Sequence, residues 1–334
     1  MKPRSAVVAI THRCNARCVM CDIWQGGGGT EMPAAAYRRL PPSLREVNLS
    51  GGEPFLRRDL IDVVDAVRQA CPRARLVISS NGLAAGRIRD LAPRLAACGP
   101  ALGVRISIDG RAETHDRLRG TPGAFDRAMT SLEILQRAGI RDLGIGTTIV
   151  EDNLAEVGQV YRLAQARGVE FSLTLVTGSE IYFGPDKTGL RPQNGEELGI
   201  YLADVIQDEY RHRRPKRWFR AWFEEALVHY AIGGRRALPC DAGRGFFYLD
   251  PGGDVYGCHL LPHRLGNLQE MAWVSIWQGP AAERVRREIA GCQGCWMVCT
   301  ARTQMRRQIV RVGGQVLLGK LRAHLEGRRD GGER

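Results

Sequence analysis

No apolar run in this 334-residue chain approaches the ~20 consecutive residues that a membrane-spanning helix requires. A secretory signal is missing too: Met1-Lys-Pro-Arg4 leads straight into a short apolar run, with no h-region or small-residue cleavage site. These absences predict a cytoplasmic protein and change the meaning of its ten cysteines, which in a secreted chain would suggest disulfides. In a reducing compartment they read as metal ligands. Acidic residues are scarce, with 36 Asp and Glu against 48 Lys and Arg, a formal charge of +12. Such a balance raises the question of a nucleic-acid partner, but no nucleic-acid recognition motif accompanies it.

What is present is a regular alternation of short β-rich runs with longer helical patterns, the mark of parallel βα units. Six strands are expected: Val7 to Thr11, Glu46 to Ser50, Arg75 to Ser79, Val104 to Ile108, Gly144 to Val150 and Phe171 to Val176. Helical segments such as Leu60 to Ala70 and Phe125 to Ala138 lie between them. Six repeats predict an α/β fold, a partial (β/α)6 barrel with its ligand site at the carboxyl ends of the strands.

The chemistry-bearing residues fall at those ends. Directly after the first strand come Cys14, Cys18 and Cys21, within Thr11-His-Arg-Cys-Asn-Ala-Arg-Cys-Val-Met-Cys-Asp22. Three thiolates leave one iron of a [4Fe-4S] cluster free of protein ligands, open to a small molecule bearing an amine and a carboxylate. The competing reading is a zinc knuckle with His12 as fourth ligand, although zinc sites usually pair their ligands more closely. The second strand ends in Ser50-Gly51-Gly52-Glu53-Pro54, where two glycines let the backbone approach a ligand and Glu53 offers an acceptor for a cationic amine. The third ends in Ser79-Ser-Asn81-Gly82 and the fourth in Ser107-Ile-Asp109-Gly110.

The cysteine spacing, the Gly-Gly-Glu-Pro segment and the two following strand ends resemble the radical S-adenosylmethionine (radical SAM) superfamily. Thr114-His-Asp-Arg-Leu-Arg-Gly-Thr-Pro-Gly-Ala-Phe125 is similar to the branch containing sulfatase-maturating enzymes. The resemblance implies a SAM-bound [4Fe-4S] cluster on Cys14, Cys18 and Cys21, and release of a 5'-deoxyadenosyl radical. It further implies SAM contacts from Gly51, Gly52, Glu53, Pro54, Ser79, Asn81 and Ser107, with Asp109 and Arg119 as further candidates. His115 and Asp116 are expected to cap or orient the following helix.

After Val176 the alternation stops, and Gly178 to Glu196 reads as a boundary or substrate lid. Helical stretches from Glu196 to Arg211 and from Arg217 to Ile232 follow. Tyr182, Phe183, Trp218, Phe219 and Trp222 are aromatic candidates for lining a pocket, or for plain core. A second cysteine group then appears as Cys240, Cys258, Cys292, Cys295 and Cys299. Phe246 to Leu249 and Val255 to Tyr256 flank Asp250-Pro-Gly-Gly-Asp254, a hairpin that would bring Cys240 and Cys258 together. Four thiolates suit structural zinc or an iron–sulfur cluster equally.

This segment resembles the SPASM and shorter twitch extensions of radical SAM enzymes, which implies an auxiliary [4Fe-4S] cluster. Five cysteines are too few for two such clusters. The expected ligands are Cys240, Cys258, Cys292 and Cys295, with Cys299 either replacing one of them or serving as a hydrogen-atom donor. Cys71 and Cys98 are expected to be structural. The domain plan is a barrel over 1–178, a lid and helical connection over 179–235, a cysteine-rich α+β twitch-like extension over 236–300 and a basic tail over 301–334. In that tail Arg306, Arg307, Arg311, Lys320 and Arg322 interleave with Ile309, Val316, Leu317, Leu318 and Leu321, a basic amphipathic segment with an expected interruption at Gly313-Gly314.

The function implied is hydrogen abstraction from a small molecule of sugar, cyclitol or nucleoside type, most simply a dehydrogenation served by the auxiliary cluster and a flavodoxin- or ferredoxin-type reductant. Decarboxylation or epimerisation would begin the same way. A peptide-modifying maturase is the alternative carried by the barrel's likeness; the short extension and a chain beginning at its first strand favour the small substrate. An electron carrier or RNA-binding module has no need of the glycine and serine rim.

Overall fold

The computed structural model describes residues 2–185 and 187–329. Six strands run in parallel: β1 Ser5–Thr11, β2 Glu46–Gly51, β3 Arg75–Ser80, β4 Leu102–Ser107, β5 Asp142–Ile149 and β6 Glu170–Leu175. They form the partial barrel, each strand hydrogen-bonded to the next in sequence. The strands read as near-continuous apolar runs because both faces are covered. Val8, Ala9, Ile10, Leu49, Ile78, Val104, Ile106 and Ile145 are fully buried.

Five helices cover the sheet: α1 Leu60–Ala70, α2 Ala85–Ala97, α3 Ala112–Arg119, α4 Ala124–Arg137 and α5 Val157–Ala166. The start of α4 is fixed by Asp116, whose carboxylate accepts from the Gly123 and Phe125 amides at 2.5 and 2.8 Å. Two longer helices follow, α6 Gly195–Arg211 and α7 Pro215–Gly233. Asn194 caps α6 by accepting from Glu196 N, and Pro215 opens α7 where its missing N–H costs nothing.

The expected hairpin is present as β7 Phe246–Leu249 and β8 Asp254–Tyr256, with β9 Arg264–Asn267 beside it. It does not stand apart from the barrel. β7 runs parallel to β1 with Ser5 opposite Phe246, so the sheet order is β6-β5-β4-β3-β2-β1-β7-β8-β9. An open barrel leaves β1 with an unpaired edge, and the extension satisfies it.

Four more helices complete the described chain: α8 Trp273–Gln278, α9 Pro280–Glu288, α10 Val298–Arg307 and α11 Ile309–Arg329. Two expectations need correction here. The boundary at 300 falls inside α10, which starts directly after Met297. The expected break at Gly313-Gly314 is absent, because α11 runs through both glycines and the interruption falls at Gln308. Docking of α11 on α6 and α7 offsets the helix cost of two glycines, about 1 kcal/mol each. Residues 330–334 of the basic tail lie outside the described residues. No helix among the described residues is long and apolar enough to cross a membrane.

Candidate active site

The carboxyl ends of the six strands converge on a cavity of about 190 Å³. Cys14, Cys18 and Cys21 line it together with Ser50, Gly51, Gly52, Ser79, Ser80, Asn81, Ser107 and Arg119. Thr148 on β5 and Thr174 on β6 complete a ring of small hydroxyl and amide groups, which sequence reading passed over. Extending the Ser79 and Ser107 pattern to the last turns of β5 and β6 would have found them. Thr174 Oγ1 has no hydrogen-bond partner, although it is buried.

The cysteine loop is held by the backbone of β2 and by one buried arginine. Gly52 N donates to Thr11 O and Glu53 N to Arg13 O, each at 2.8 Å. A Cβ on Gly51, whose φ is +134°, would stand 2.1 Å from Thr11 O, and one on Gly52 would stand 2.3 Å from Arg13 O. These glycines therefore admit the neighbouring loop's backbone as well as facing the cavity. Arg57 is 1% exposed; it donates to Ile10 O at 2.5 Å and Met32 O at 2.6 Å, and pairs with Asp59 at 2.8 Å.

Donors are aimed at the sulfurs. Asn81 Nδ2 lies 3.7 Å from Cys14 Sγ, and Arg119 Nη1 lies 3.7 Å from Cys18 Sγ. Burial pushes the Cys14 thiol up to about 11 and the Cys21 thiol up to about 12, so both stay protonated until a metal replaces the proton. The three thiols line the cavity, and among the described residues no other Cys, His, Asp or Glu lines it to serve as a fourth ligand. Three thiols fit a [4Fe-4S] cluster with one iron left free better than structural zinc, which takes four protein ligands. His12 is not part of the lining.

Two expected SAM contacts lie behind the rim. Glu53 is fully buried, and its carboxylate accepts from Asn81 N at 2.7 Å, Ser80 Oγ at 2.9 Å and Phe55 N at 3.1 Å. Burial raises its pKa to about 7 against the pull of those donors. Glu53 ties β2 to the end of β3 and so places Asn81. Asp109 is likewise fully buried, accepting from Thr148 N at 2.8 Å and pairing with Arg119. Pro54 opens a short turn on the same buried side. Ser79, Asn81, Ser107 and Arg119 do reach the cavity.

The segment expected as a lid closes one wall. Tyr182 shares a hydrogen bond with Ser50 Oγ at 2.7 Å and accepts from Gly51 N at 3.0 Å. Asp22 N donates to Phe183 O, and Lys187 pairs with Asp22 at 2.8 Å. Tyr182 and Phe183 line the cavity beside Ile23, Trp24, Leu175 and Met297. Trp218, Phe219 and Trp222 do not; they pack on the core between helices.

Met297 also brings the second cysteine group near. Burial raises the thiols of Cys240, Cys258, Cys295 and Cys299, that of Cys258 to about 11 and that of Cys299 to about 12; neighbouring thiols push the same way. Cys240 and Cys258 each feel Cys292, while Cys299 feels Cys258 and Cys240. The five cysteines are thus near neighbours of one another, Cys240 and Cys258 across the hairpin among them. Leu260 N and Gly294 N point at Cys258 and Cys292 Sγ, both at 3.4 Å, and Arg236 Nη1 at Cys295 Sγ at 3.6 Å. Cys299 is absent from the cavity lining and has Cys258 and Cys240 as neighbours. Cys71 donates to Pro41 O within the core, and Cys98 to Arg94 O.

Comparison with known proteins agrees with this arrangement. The radical SAM superfamily model matches residues 8–164, and SPASM, an iron–sulfur cluster-binding domain, matches residues 240–296. AdoMet-dependent heme synthase of Methanosarcina barkeri is 26% identical over 324 residues, covering 89% of this chain and 88% of that protein. Mycofactocin maturase MftC of Mycobacterium tuberculosis is 28% identical, covering 86% and 73%. PqqA peptide cyclase of Methylocella silvestris is 27% identical, covering 72% and 69%. Among solved structures, Streptococcus suis SuiB bound to precursor peptide SuiA has a TM-score of 0.62 at 15% identity, covering 89% of this chain and 70% of that one, a likeness of fold. The chain belongs to the radical SAM superfamily, with a barrel that takes a [4Fe-4S] cluster and S-adenosylmethionine and a SPASM extension that takes auxiliary iron–sulfur.

Proposed function

We propose that this chain is a radical SAM maturase that modifies a peptide. Cys14, Cys18 and Cys21 hold the cluster that meets SAM, and four of the five cysteines Cys240, Cys258, Cys292, Cys295 and Cys299 hold one auxiliary [4Fe-4S] cluster. When bound, cluster and SAM supply a 5'-deoxyadenosyl radical able to take a hydrogen atom from an unactivated carbon.

The chain's own residues prepare the place for that chemistry. Asn81 and Arg119 stabilise thiolate sulfur by donating to it. Ser79, Ser107, Thr148 and Thr174 offer hydroxyls to the ribose and carboxylate of SAM. Ile23, Trp24, Leu175, Phe183 and Met297 exclude water and side reactions on the opposite wall.

The observation that carries the peptide reading is the likeness, over most of the chain, to a maturase and a peptide cyclase. The cyclase and maturase relatives support this reading, while the heme synthase relative speaks for a small molecule. The sugar or cyclitol preferred from sequence thus becomes the second reading.

The test is 5'-deoxyadenosine release by the reconstituted, reduced enzyme in the presence of cell-extract fractions. Loss of the stimulating activity after protease treatment supports a peptide substrate. Stimulation that survives protease returns the substrate to the small-molecule class.

A further inference from the structure

The apolar residues of α11 occupy two opposite faces. Val312, Val316 and Ala323 are buried, and Gly319 admits the Tyr210 ring, where a Cβ would approach to 2.4 Å. This face seats the helix on α6 and α7. At 3.6 residues per turn, Val310, Leu317, Leu318, Leu321 and Leu325 fall within a sector of about 100° on the other side. Each of the five is more than half exposed, from 56% for Leu317 to 88% for Val310. A leucine stripe turned away from the core is not explained by folding.

The border of that stripe is basic. From Ile309 to Leu325 the helix carries no acidic residue, and exposed Arg311 and Arg322 lie along one edge of the leucines, Arg322 also pairing with Glu225 of α7 at 3.6 Å. Lys320 Nζ donates to Tyr210 O at 2.9 Å and His212 O at 3.2 Å, while Arg211 Nε donates to Ala323 O at 3.0 Å. These bonds fasten the α6–α7 turn against α11, and that turn exposes Arg213 and Arg214, while Lys216 at the start of α7 pairs with Glu170 at 3.0 Å.

We propose that α11 and the α6–α7 turn form a docking surface for an anionic membrane, with α11 lying in the plane of the interface. The leucines enter the boundary between headgroups and acyl chains, and the arginines meet the acidic headgroups. Charge selects this occupant. A second copy would set basic borders against one another, and a nucleic acid has no use for the leucine stripe.

The test is co-sedimentation of the full-length holoenzyme with vesicles of phosphatidylcholine alone, or containing about one third phosphatidylglycerol. Binding is expected to the anionic vesicles and to weaken with salt. Leu317→Ser with Leu321→Ser, and separately Arg213→Glu with Arg214→Glu, are expected to lower the partition coefficient by about tenfold or more. All these positions lie on the surface away from the cavity, so 5'-deoxyadenosine formation is expected to be unchanged and reports correct folding. No sedimentation with either vesicle, equal binding to neutral vesicles at every salt concentration, or a leucine-dependent dimer without vesicle binding would overturn the proposal.

Discussion

Asp109 and Arg119 form a buried ion pair at 2.5 Å behind the cysteine cavity, and the other arm of Arg119 reaches Cys18 Sγ. The pair connects the end of β4 with the end of α3. Removing one partner strands the other as an uncompensated buried charge, at a cost of about 3–5 kcal/mol. Asp109→Ala is expected to lower the thermal midpoint sharply, whereas Asp109→Leu combined with Arg119→Leu recovers much of the loss. Strict additivity in that cycle would show that the two do not act as a pair.

Glu53 offers a second test, because its carboxylate serves three donors within the protein. In Glu53→Gln an amide N–H must face one of those donors, leaving a buried group unsatisfied at about 1–3 kcal/mol. The expected outcome is lower stability together with weaker SAM binding, since Asn81 loses its anchor. Calorimetric SAM titration and thermal melting check it. Weaker SAM binding at unchanged stability would restore Glu53 to direct ligand contact.

The pH dependence of stability has a specific source in Glu224 on α7. It is 1% exposed, and neither carboxylate oxygen has a hydrogen-bond partner. Burial, then the like charge of Glu209, raise its pKa to about 8 against the pull of Arg220 and Arg217. A carboxyl raised in the folded state favours folding at low pH, and that advantage is lost as pH climbs from the unfolded value of 4.5 through about 8. Glu224→Gln is therefore expected to melt like wild type near the low end of this window and above it at the high end, by up to about 4 kcal/mol. Parallel melting curves at both ends would contradict the assignment.

Much of this molecule could be read from its residues. The six strands and the Cys14, Cys18, Cys21 loop were legible because apolar runs and cysteine spacing are local signals. The hairpin was legible from Asp250-Pro-Gly-Gly-Asp254 for the same reason. Its pairing with β1 was not, because Ser5 and Phe246 meet only through tertiary packing. Nor could sequence separate Ser79 and Ser107, which face the cavity, from Glu53 and Asp109, which face the protein; all four sit at strand ends, and only the fold orients them. The continuity of α11 through Gly313 and Gly314 was hidden likewise, since the helices it packs on lie about a hundred residues earlier in the chain.

Cys299 tests the division between the two cysteine groups. Its thiol lies with Cys240, Cys258 and Cys295 and not on the cavity wall. Cys299→Ala is expected to alter the auxiliary cluster's iron content or its electron paramagnetic resonance spectrum while SAM cleavage continues. Unchanged iron and spectrum would exclude it as a ligand.

The roles of the two cysteine groups are separated by anaerobic reconstitution of wild type and of a variant with Cys14, Cys18 and Cys21 all changed to Ala, measuring iron per chain and 5'-deoxyadenosine after reduction. The expected result is about eight irons in wild type, about four in the variant, and cleavage lost with the three thiols. Cleavage that persists in the variant would contradict it.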